Sequence, residues 1–314
     1  MAEIKKIAVI GTGVIGNGWI ARFLAQGHEV IAFDPAEGAE QRTRKVIDQV
    51  WADLEKLGTA ENASKERLSF VPTIEEAVKD AYLIQENVPE REQLKKDVLA
   101  SIDQYAQSDA IIGSSTSGIM PSTLQAGLTH PERVMVAHPF NPVYLLPLVE
   151  LVGGKETSEE ALEAAKTFYA SINMKPLVIR KEIEGHVADR LMEALWREAL
   201  HLVNDGIVTT EEADAAIIYG AGLRWAQMGP FLTFHLAGGD QGMRHMLEQF
   251  GPALKLPWTK LEAPELTDEL KEKVIEGCES HAGDTSITEL EQKRNEFLVK
   301  LLDLVEDYWP ESKI

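Results

Sequence analysis

Eight short segments rich in valine and isoleucine recur along the first 183 residues and alternate with stretches of helical character. They are KKIAVIG, HEVIAFD, RLSFVPT, AYLIQENV, AIIGSST, RVMVAHP, LPLVELVG and KPLVIRK. Strands that alternate with helices pair mostly in parallel, because each helical connection returns the chain to the same edge of the sheet. The alternation therefore predicts an α/β domain over residues 1–183, built on a doubly wound sheet.

A glycine-rich turn follows the first of these segments and opens a helical stretch. Asp34 ends the second segment, 18 positions after Gly16. In this setting the turn holds a pyrophosphate against a helix N-terminus, and the carboxylate binds the ribose hydroxyls. A carboxylate repels the extra phosphate of NADP, so a Rossmann-type domain that binds NAD is predicted. The candidate cofactor ligands are Gly11, Gly13, Val14, Ile15, Gly16 and Asp34.

After residue 184 the strand pattern stops and apolar residues recur with the helical period. The periodic segments are 186–204, 210–219, 229–250, 263–280 and 287–308. We expect a smaller, all-helical domain over 184–314 that contributes to a substrate cleft. Its apolar helices also suggest a homodimer.

The formal net charge of the chain is −20 and its sequence pI is about 4.8. Such a charge opposes sequence-independent binding to nucleic acid and to anionic membrane surfaces. The chain has no apolar run of about 18 residues, and its first residues lead directly into a strand, so a cytoplasmic protein is expected. The lone cysteine, Cys278, allows no intrachain disulfide and is expected to be inert.

His138 ends the segment RVMVAHP, and Glu150 follows it by twelve residues. Oxidation of an alcohol by hydride loss needs a base for the hydroxyl proton, which imidazole supplies near neutral pH. A carboxylate on one ring nitrogen fixes the tautomer and stabilises the imidazolium. The spacing alone leaves open an ordinary structural histidine and a solvated glutamate. No compact metal-ligand pattern occurs among the other candidate histidines, so no metal is predicted; these are His186, His201, His235, His245 and His281.

The order of GTGVIG, ENVPE, SSTSG, HPFNPVYLLPLVE and EGHVADRL resembles that of the 3-hydroxyacyl-CoA dehydrogenase superfamily over nearly the whole chain. The resemblance implies NAD-dependent oxidation of a secondary alcohol β to a carboxyl group. It implies that His138 is the catalytic base, Glu150 its partner and Ser117 a ligand of the reacting oxygen. The cofactor contacts that it implies are Glu90, Lys95, Ser115 and Asn141. Without the resemblance, Glu90 and Lys95 could be a helix-start pair and Ser117 a turn residue.

Asp189 departs from the superfamily pattern, which usually has asparagine at this position. An ionised aspartate cannot donate a hydrogen bond to a thioester carbonyl, so a short free acid is expected as substrate. Segments 222–240 and 255–258 resemble the members that act on carnitine. Aromatic faces suit the trimethylammonium group of carnitine, and arginine suits its carboxylate. The candidate substrate contacts are Ser117, Tyr144, Asp189, Arg190, Arg224, Trp225, Phe231 and Phe234.

Other interpretations stay open at this stage. Aromatic residues at helical spacing are usually core residues, and each arginine could instead form a structural ion pair. The substrate could be L-gulonate, 3-hydroxybutyrate or a 3-hydroxyacyl-CoA. The chain could also be a catalytically idle, NAD-binding structural protein like the crystallin relatives, although the presence of Ser117, His138 and Glu150 together opposes this.

Overall fold

A computed structural model describes residues 3–226, 229–260 and 286–308, together with 265, 267–270, 272, 275 and 284. The chain divides into two compact units. The first extends to Asp189, and the second begins at Arg190. The boundary expected at residues 183–184 stays a prediction.

An eight-stranded sheet forms the centre of the first unit, in the order β3-β2-β1-β4-β5-β6-β7-β8. Its strands are β1 Lys6–Ile10, β2 Glu29–Phe33, β3 Leu68–Phe70, β4 Leu83–Glu86, β5 Ile111–Ser114, β6 Val134–Pro139, β7 Leu148–Gly153 and β8 Lys175–Ile179. Every neighbouring pair is parallel except β6 and β7. The predicted Rossmann-type sheet is confirmed, with one strand per valine- and isoleucine-rich segment.

Apolar clusters cover the sheet on both faces. One contains Trp19 and Phe23, and the other contains Leu99 and Ile102. Strands buried on two sides have to be apolar throughout, which explains the continuous runs in the sequence. The helices of this unit are α1 Val14–Ala25, α2 Ala39–Leu57, α3 Ile74–Val78, α4 Glu92–Tyr105, α5 Pro121–Gln125 and α6 Glu159–Ser171.

The part of the second unit that the structure describes is helical, as predicted. Its helices are α7 Ala188–Asn204, which begins two residues before the unit, α8 Thr210–Ala216, α9 Gly222–Trp225, α10 Pro230–Ala237, α11 Met243–Phe250 and α12 Ile287–Tyr308. A π-helical turn, Ile217–Ala221, joins α8 to α9. Thr209 and Glu212 form a reciprocal capping box at the start of α8.

The sequence prediction of one helix over 229–250 is wrong. The chain leaves α10 at Gly238 and re-enters helix at Met243, with Gly239 and Gly242 in left-handed conformation at φ 60° and 59°. Such backbone interrupts a right-handed helix. The helix predicted over 263–280 lies mostly outside the described residues, as do Cys278 and His281. No helix in the described part of the chain is both long and apolar enough to span a membrane.

Candidate active site

The glycine-rich turn between β1 and α1 fits a nucleotide pyrophosphate. Gly11 has φ 89°, and a Cβ there would lie 2.9 Å from the backbone carbonyl of Asn87. A Cβ on Gly16 would collide with the carbonyl oxygen of Gly11. Above Gly13, by contrast, a Cβ would meet nothing within 4 Å, and no side chain caps the first turn of α1. The turn therefore combines a tight backbone with open space at a helix N-terminus, where anions bind.

Asp34 lies at the carboxyl end of β2, and its carboxylate is held by the neighbouring backbone. One oxygen accepts hydrogen bonds from the backbone N–H of Thr12 at 2.7 Å and from its hydroxyl at 3.0 Å. The other accepts from the N–H of Ala36 at 2.9 Å. A cavity of about 600 Å³ beside Asp34 also contacts Glu40 and Arg44. The Arg44 guanidinium is bonded to the Glu40 carboxylate at 2.8 Å, so its charge is already matched by an acid.

A buried ion pair supports the loop that follows β4. The Lys95 ammonium lies 2.9 Å from Glu86, and it donates to the Val88 carbonyl at 2.9 Å. It is also 3.6 Å from the Glu90 carboxylate. Glu86 is fully buried and Lys95 is 1% exposed. The cofactor contact of Lys95 stays a prediction; in the structure its ammonium already bonds to this loop. Glu86 was not among the residues predicted from the sequence, although an acid that ends an apolar strand was a usable signal.

Glu90 holds the turn that carries Ser117. Its carboxylate accepts hydrogen bonds from the Thr116 hydroxyl and, at 3.2 Å each, from the backbone N–H groups of Ser117 and Gly118. Ser117 is exposed on this turn. The Glu90 carboxylate thus fixes the backbone of the predicted substrate-binding serine.

The hydroxyl of Ser115, two residues earlier, is bonded within the protein. It accepts from the Trp19 indole N–H at 3.1 Å and from the Gln85 amide at 2.8 Å. It donates to the Asn87 amide oxygen at 2.7 Å. Neither Gln85 nor Asn87 was a predicted site residue. Both stand at the carboxyl end of β4, the edge where open α/β sheets bind ligands.

His138 and Glu150 are brought together by the only antiparallel pairing in the described sheet. The register of β6 and β7 places the two residues directly opposite each other. The His138 Nδ1 atom lies 2.9 Å from Glu150 Oε2. His138 is 5% exposed, and Glu150 is fully buried. This pairing leaves Nε2 as the ring nitrogen available to a substrate.

Backbone groups at the start of α7 hold the second oxygen of Glu150. The N–H groups of Val187 and Ala188 each donate to Oε1 at 2.9 Å. Burial by itself raises the pKa of Glu150, but the His138 hydrogen bond and these two N–H groups outweigh it and hold the pKa below its ordinary value. Glu150 is therefore ionised, and as an anion it stabilises a positive charge on the imidazole.

His186 packs against the same imidazole, with ring centroids 5.3 Å apart. It is fully buried in left-handed backbone at φ 46°, and its Nε2 lies 3.1 Å from the Thr116 carbonyl. Burial lowers its pKa, so the ring is neutral and donates from Nε2 to that carbonyl. From its sequence pattern, His186 was weighed only as a possible metal ligand. No pattern signalled its left-handed conformation beyond the adjacent Gly185.

Asp189 also approaches the catalytic imidazole. Its Oδ2 lies 3.7 Å from His138 Nε2, and its side chain is 20% exposed. Asn141 is exposed just after β6, and Tyr144 is half-buried against the core cluster. The ligand contacts predicted for Asn141 and Tyr144 stay predictions.

Five predicted substrate contacts belong to the second unit and are exposed there. They are Arg190, Arg224, Trp225, Phe231 and Phe234. The three aromatic side chains are 42%, 83% and 49% exposed, respectively, so they are not the core residues that helical spacing usually indicates. Within the described residues, no group of three or more His, Cys, Asp or Glu side chains could hold a metal ion.

Two family models match the chain in succession. The 3-hydroxyacyl-CoA dehydrogenase NAD-binding domain matches residues 6–183, and the 3-hydroxyacyl-CoA dehydrogenase C-terminal domain matches residues 185–277.

The chain is 73% identical to the L-carnitine dehydrogenase of Oceanobacillus iheyensis, over 98% of this chain and 100% of the relative. It is 66% identical to the L-carnitine dehydrogenase of Bacillus cereus, over 99% of this chain and 96% of the relative. A solved structure with TM-score 0.81 and 28% identity is that of 5-formyl-3-hydroxy-2-methylpyridine 4-carboxylic acid 5-dehydrogenase, an NAD⁺-dependent dismutase; the match covers 97% of this chain and 99% of that one. The chain therefore belongs to the 3-hydroxyacyl-CoA dehydrogenase family, and residues 6–183 are its NAD-binding domain.

Proposed function

We propose that this enzyme oxidises the 3-hydroxyl group of L-carnitine to the ketone of 3-dehydrocarnitine, with transfer of hydride to NAD. The observation that carries the chemistry is the 2.9 Å bond between His138 and the buried, ionised Glu150. The substrate follows from the relatives, which are 54–73% identical over nearly the whole chain and are named L-carnitine dehydrogenases.

His138 acts as the general base in this proposal. Its Nε2 takes the proton of the 3-hydroxyl group while the hydrogen on C3 leaves as hydride. Glu150 bonds to Nδ1, keeps the ring in the required tautomer and stabilises the imidazolium that forms. The Ser117 hydroxyl donates a hydrogen bond to the reacting oxygen, on a turn that Glu90 holds in place.

NAD supplies the hydride acceptor when bound. The turn at Gly13, which has open space above it, would hold the pyrophosphate, and Asp34 would accept hydrogen bonds from the ribose hydroxyls. Two acids, Asp34 and Glu40, border the adjoining cavity and oppose the additional phosphate of NADP. Glu90, Lys95, Ser115 and Asn141 complete the proposed cofactor set; Lys95 and Ser115 act through the loops they hold.

The second unit supplies substrate selectivity in this proposal. Arg190 and Arg224 are the candidates for the substrate carboxylate, because a guanidinium binds a carboxylate through two parallel hydrogen bonds. Trp225, Phe231 and Phe234 are the candidates for the trimethylammonium group, since aromatic faces attract quaternary ammonium ions. Tyr144 is the proposed aromatic contact of the first unit.

We further propose that the protein is a cytoplasmic homodimer that binds no nucleic acid or membrane. The many exposed apolar side chains of the second unit support association of two copies, because soluble monomers rarely expose large apolar patches. Light scattering of the purified protein measures the mass directly. A mass near twice the 34.8 kDa chain supports the dimer, and a mass near one chain contradicts it.

The proposed reaction is tested with L-carnitine that carries deuterium at C3. Incubation with NAD should transfer the deuterium to the nicotinamide, and the NADH formed should equal the L-carnitine consumed. D-carnitine serves as the matched control for a specific rather than a general alcohol oxidation. If NADH does not form, or if it forms without the deuterium, the proposed function is wrong.

A further inference from the structure

The Nε2 edge of His138 has a second carboxylate beside it that the proposed proton transfer does not use. Glu150 is fully buried, and its two oxygens accept hydrogen bonds from His138, Val187 and Ala188, so it is not the carboxylate that faces a substrate. Asp189 Oδ2 lies 3.7 Å from Nε2, on the edge where the substrate hydroxyl binds. A substrate that places its hydroxyl on His138 therefore places the neighbouring carbon atoms beside a carboxylate.

We infer that Asp189 is a further specificity-determining residue, which recognises the positive charge of the substrate through its carboxylate beside His138; this inference rests on the proposed function. In carnitine, C3 and C4 separate the hydroxyl oxygen from the quaternary nitrogen, so the two atoms lie roughly 3 to 4 Å apart. A hydroxyl bonded to Nε2 is about 2.8 Å from it. These lengths keep the quaternary nitrogen within direct electrostatic reach of Asp189.

The surroundings of Asp189 strengthen such an attraction. Its side chain is only 20% exposed, and the neighbouring His138 and Glu150 side chains are buried. Water screens charges less in such a site than on the surface. A quaternary ammonium has no N–H group, so its recognition requires charge and shape rather than a directed hydrogen bond. A carboxylate supplies that charge, and it repels the carboxylate end of the substrate.

The substitution Asp189→Asn tests the inference, because it removes the charge and keeps the shape of the side chain. Two substrates are compared: L-carnitine, and its carbon isostere in which tert-butyl replaces trimethylammonium. The ratio of their kcat/KM values should fall by at least about tenfold in the variant, the scale of one lost charge contact in a partly buried site. The loss should lie mainly in KM for L-carnitine, and kcat/KM for the isostere should fall by a clearly smaller factor than kcat/KM for L-carnitine.

Asp80→Asn is the matched control, since it removes the same charge from a surface pair with Lys6 at 3.9 Å. It should leave the ratio unchanged. NADH binding, followed by its fluorescence, verifies that each variant is folded. The wild-type enzyme supplies a second measurement: tetramethylammonium chloride should inhibit competitively against L-carnitine, and sodium chloride at equal ionic strength should not.

The results separate this inference from the proposed function. If Asp189→Asn lowers kcat/KM equally for both substrates, Asp189 acts through His138 and the inference is overturned. A wild-type enzyme that favours L-carnitine no more than the isostere, or that tetramethylammonium does not inhibit, also overturns it, whereas the proposed oxidation stands. If the wild type fails to oxidise L-carnitine at all, the proposed function and this inference both fall.

Discussion

The two units of the chain differ in how they dispose of their large apolar side chains. Among the described residues, five such side chains are exposed up to Asp189, and 21 are exposed from Arg190 onward. The first unit buries its apolar residues against its own sheet. In the second, residues such as Phe231 and Leu254 are 83% and 85% exposed.

The chemical groups follow the same division. His138, Glu150 and the Ser117 turn are fixed by strand register and backbone hydrogen bonds within the first unit. A site needs such rigid support when atoms must meet within tenths of an ångström. The exposed aromatic residues of the second unit are suited to contacts with other molecules, whether a substrate or another copy. We therefore assign the chemistry to the first unit, together with the charge recognition proposed for Asp189. We propose that the second unit contributes the aromatic substrate contacts and the dimer interface.

A substitution of His138 tests most directly whether the first unit performs the chemistry. His138→Gln should retain the fold and NAD affinity but lose roughly 100-fold or more in turnover, the scale of a missing general base. Steady-state NADH formation measures turnover, and fluorescence titration measures cofactor affinity. Turnover near that of the wild type would remove His138 from the mechanism.

Glu150→Gln sharpens the same point with a smaller effect. Turnover should fall roughly 10- to 50-fold, because the base is kept and only its orientation and charge balance are lost.

The same substitution also tests the charge of Glu150 through the pH dependence of stability. The pKa of Glu150 is lowered in the folded protein, so its stabilising contribution is present above the ordinary carboxyl pKa and is lost as the pH falls through the lowered value. In urea unfolding at neutral pH, the wild type should therefore have a larger free energy of unfolding than Glu150→Gln. This difference in free energy should become smaller in acid. A difference that is independent of pH would contradict the ionised Glu150.

Trp225→Ala tests the proposal that aromatic residues of the second unit bind the substrate. If its exposed face contacts the trimethylammonium group, KM for L-carnitine should rise roughly 5- to 30-fold, which corresponds to about 1 to 2 kcal/mol. NAD affinity should stay unchanged. Phe231→Ala provides an independent test at a second aromatic residue. If both variants keep the wild-type KM, these aromatic residues do not bind the substrate.

Asp34→Ala gives the smallest of the expected effects, because it changes only cofactor binding in the first unit. The wild type should use NAD in preference to NADP. In the variant, KM for NAD should rise roughly fivefold, equivalent to about 1 kcal/mol of lost hydrogen bonding. The ratio of kcat/KM for NAD to that for NADP should therefore become smaller. Kinetics with the two cofactors check this. Equal use of NADP by the wild type would contradict the role of Asp34.

The sequence predicted the first unit better than the second because local signals coincide there with the fold. Each apolar segment became one strand, and the glycine spacing is enforced by contacts such as that between Gly16 and Gly11. The pairing of His138 with Glu150 was beyond spacing arguments, because it depends on the antiparallel register of β6 and β7.

The backbone conformation of single residues explains the other differences between the structure and the predictions from the sequence. The left-handed backbone of His186, whose ring packs against that of His138, had no signal in the sequence beyond the adjacent Gly185. The helix predicted over 229–250 was wrong because Gly239 and Gly242 adopt left-handed backbone. Periodicity records which residues are apolar, and it does not record a backbone reversal of this kind.

The central claim, a rigid hydroxyl-oxidising site combined with selectivity for carnitine, is tested most directly by one comparison of kcat/KM. L-Carnitine, L-gulonate, 3-hydroxybutyrate and 3-hydroxybutyryl-CoA are each supplied with NAD, and NADH formation is followed. The account predicts that L-carnitine exceeds every other substrate by about 100-fold or more, since recognition of its two charged ends adds to the shared chemistry. Preferential oxidation of L-gulonate or of the thioester would contradict it.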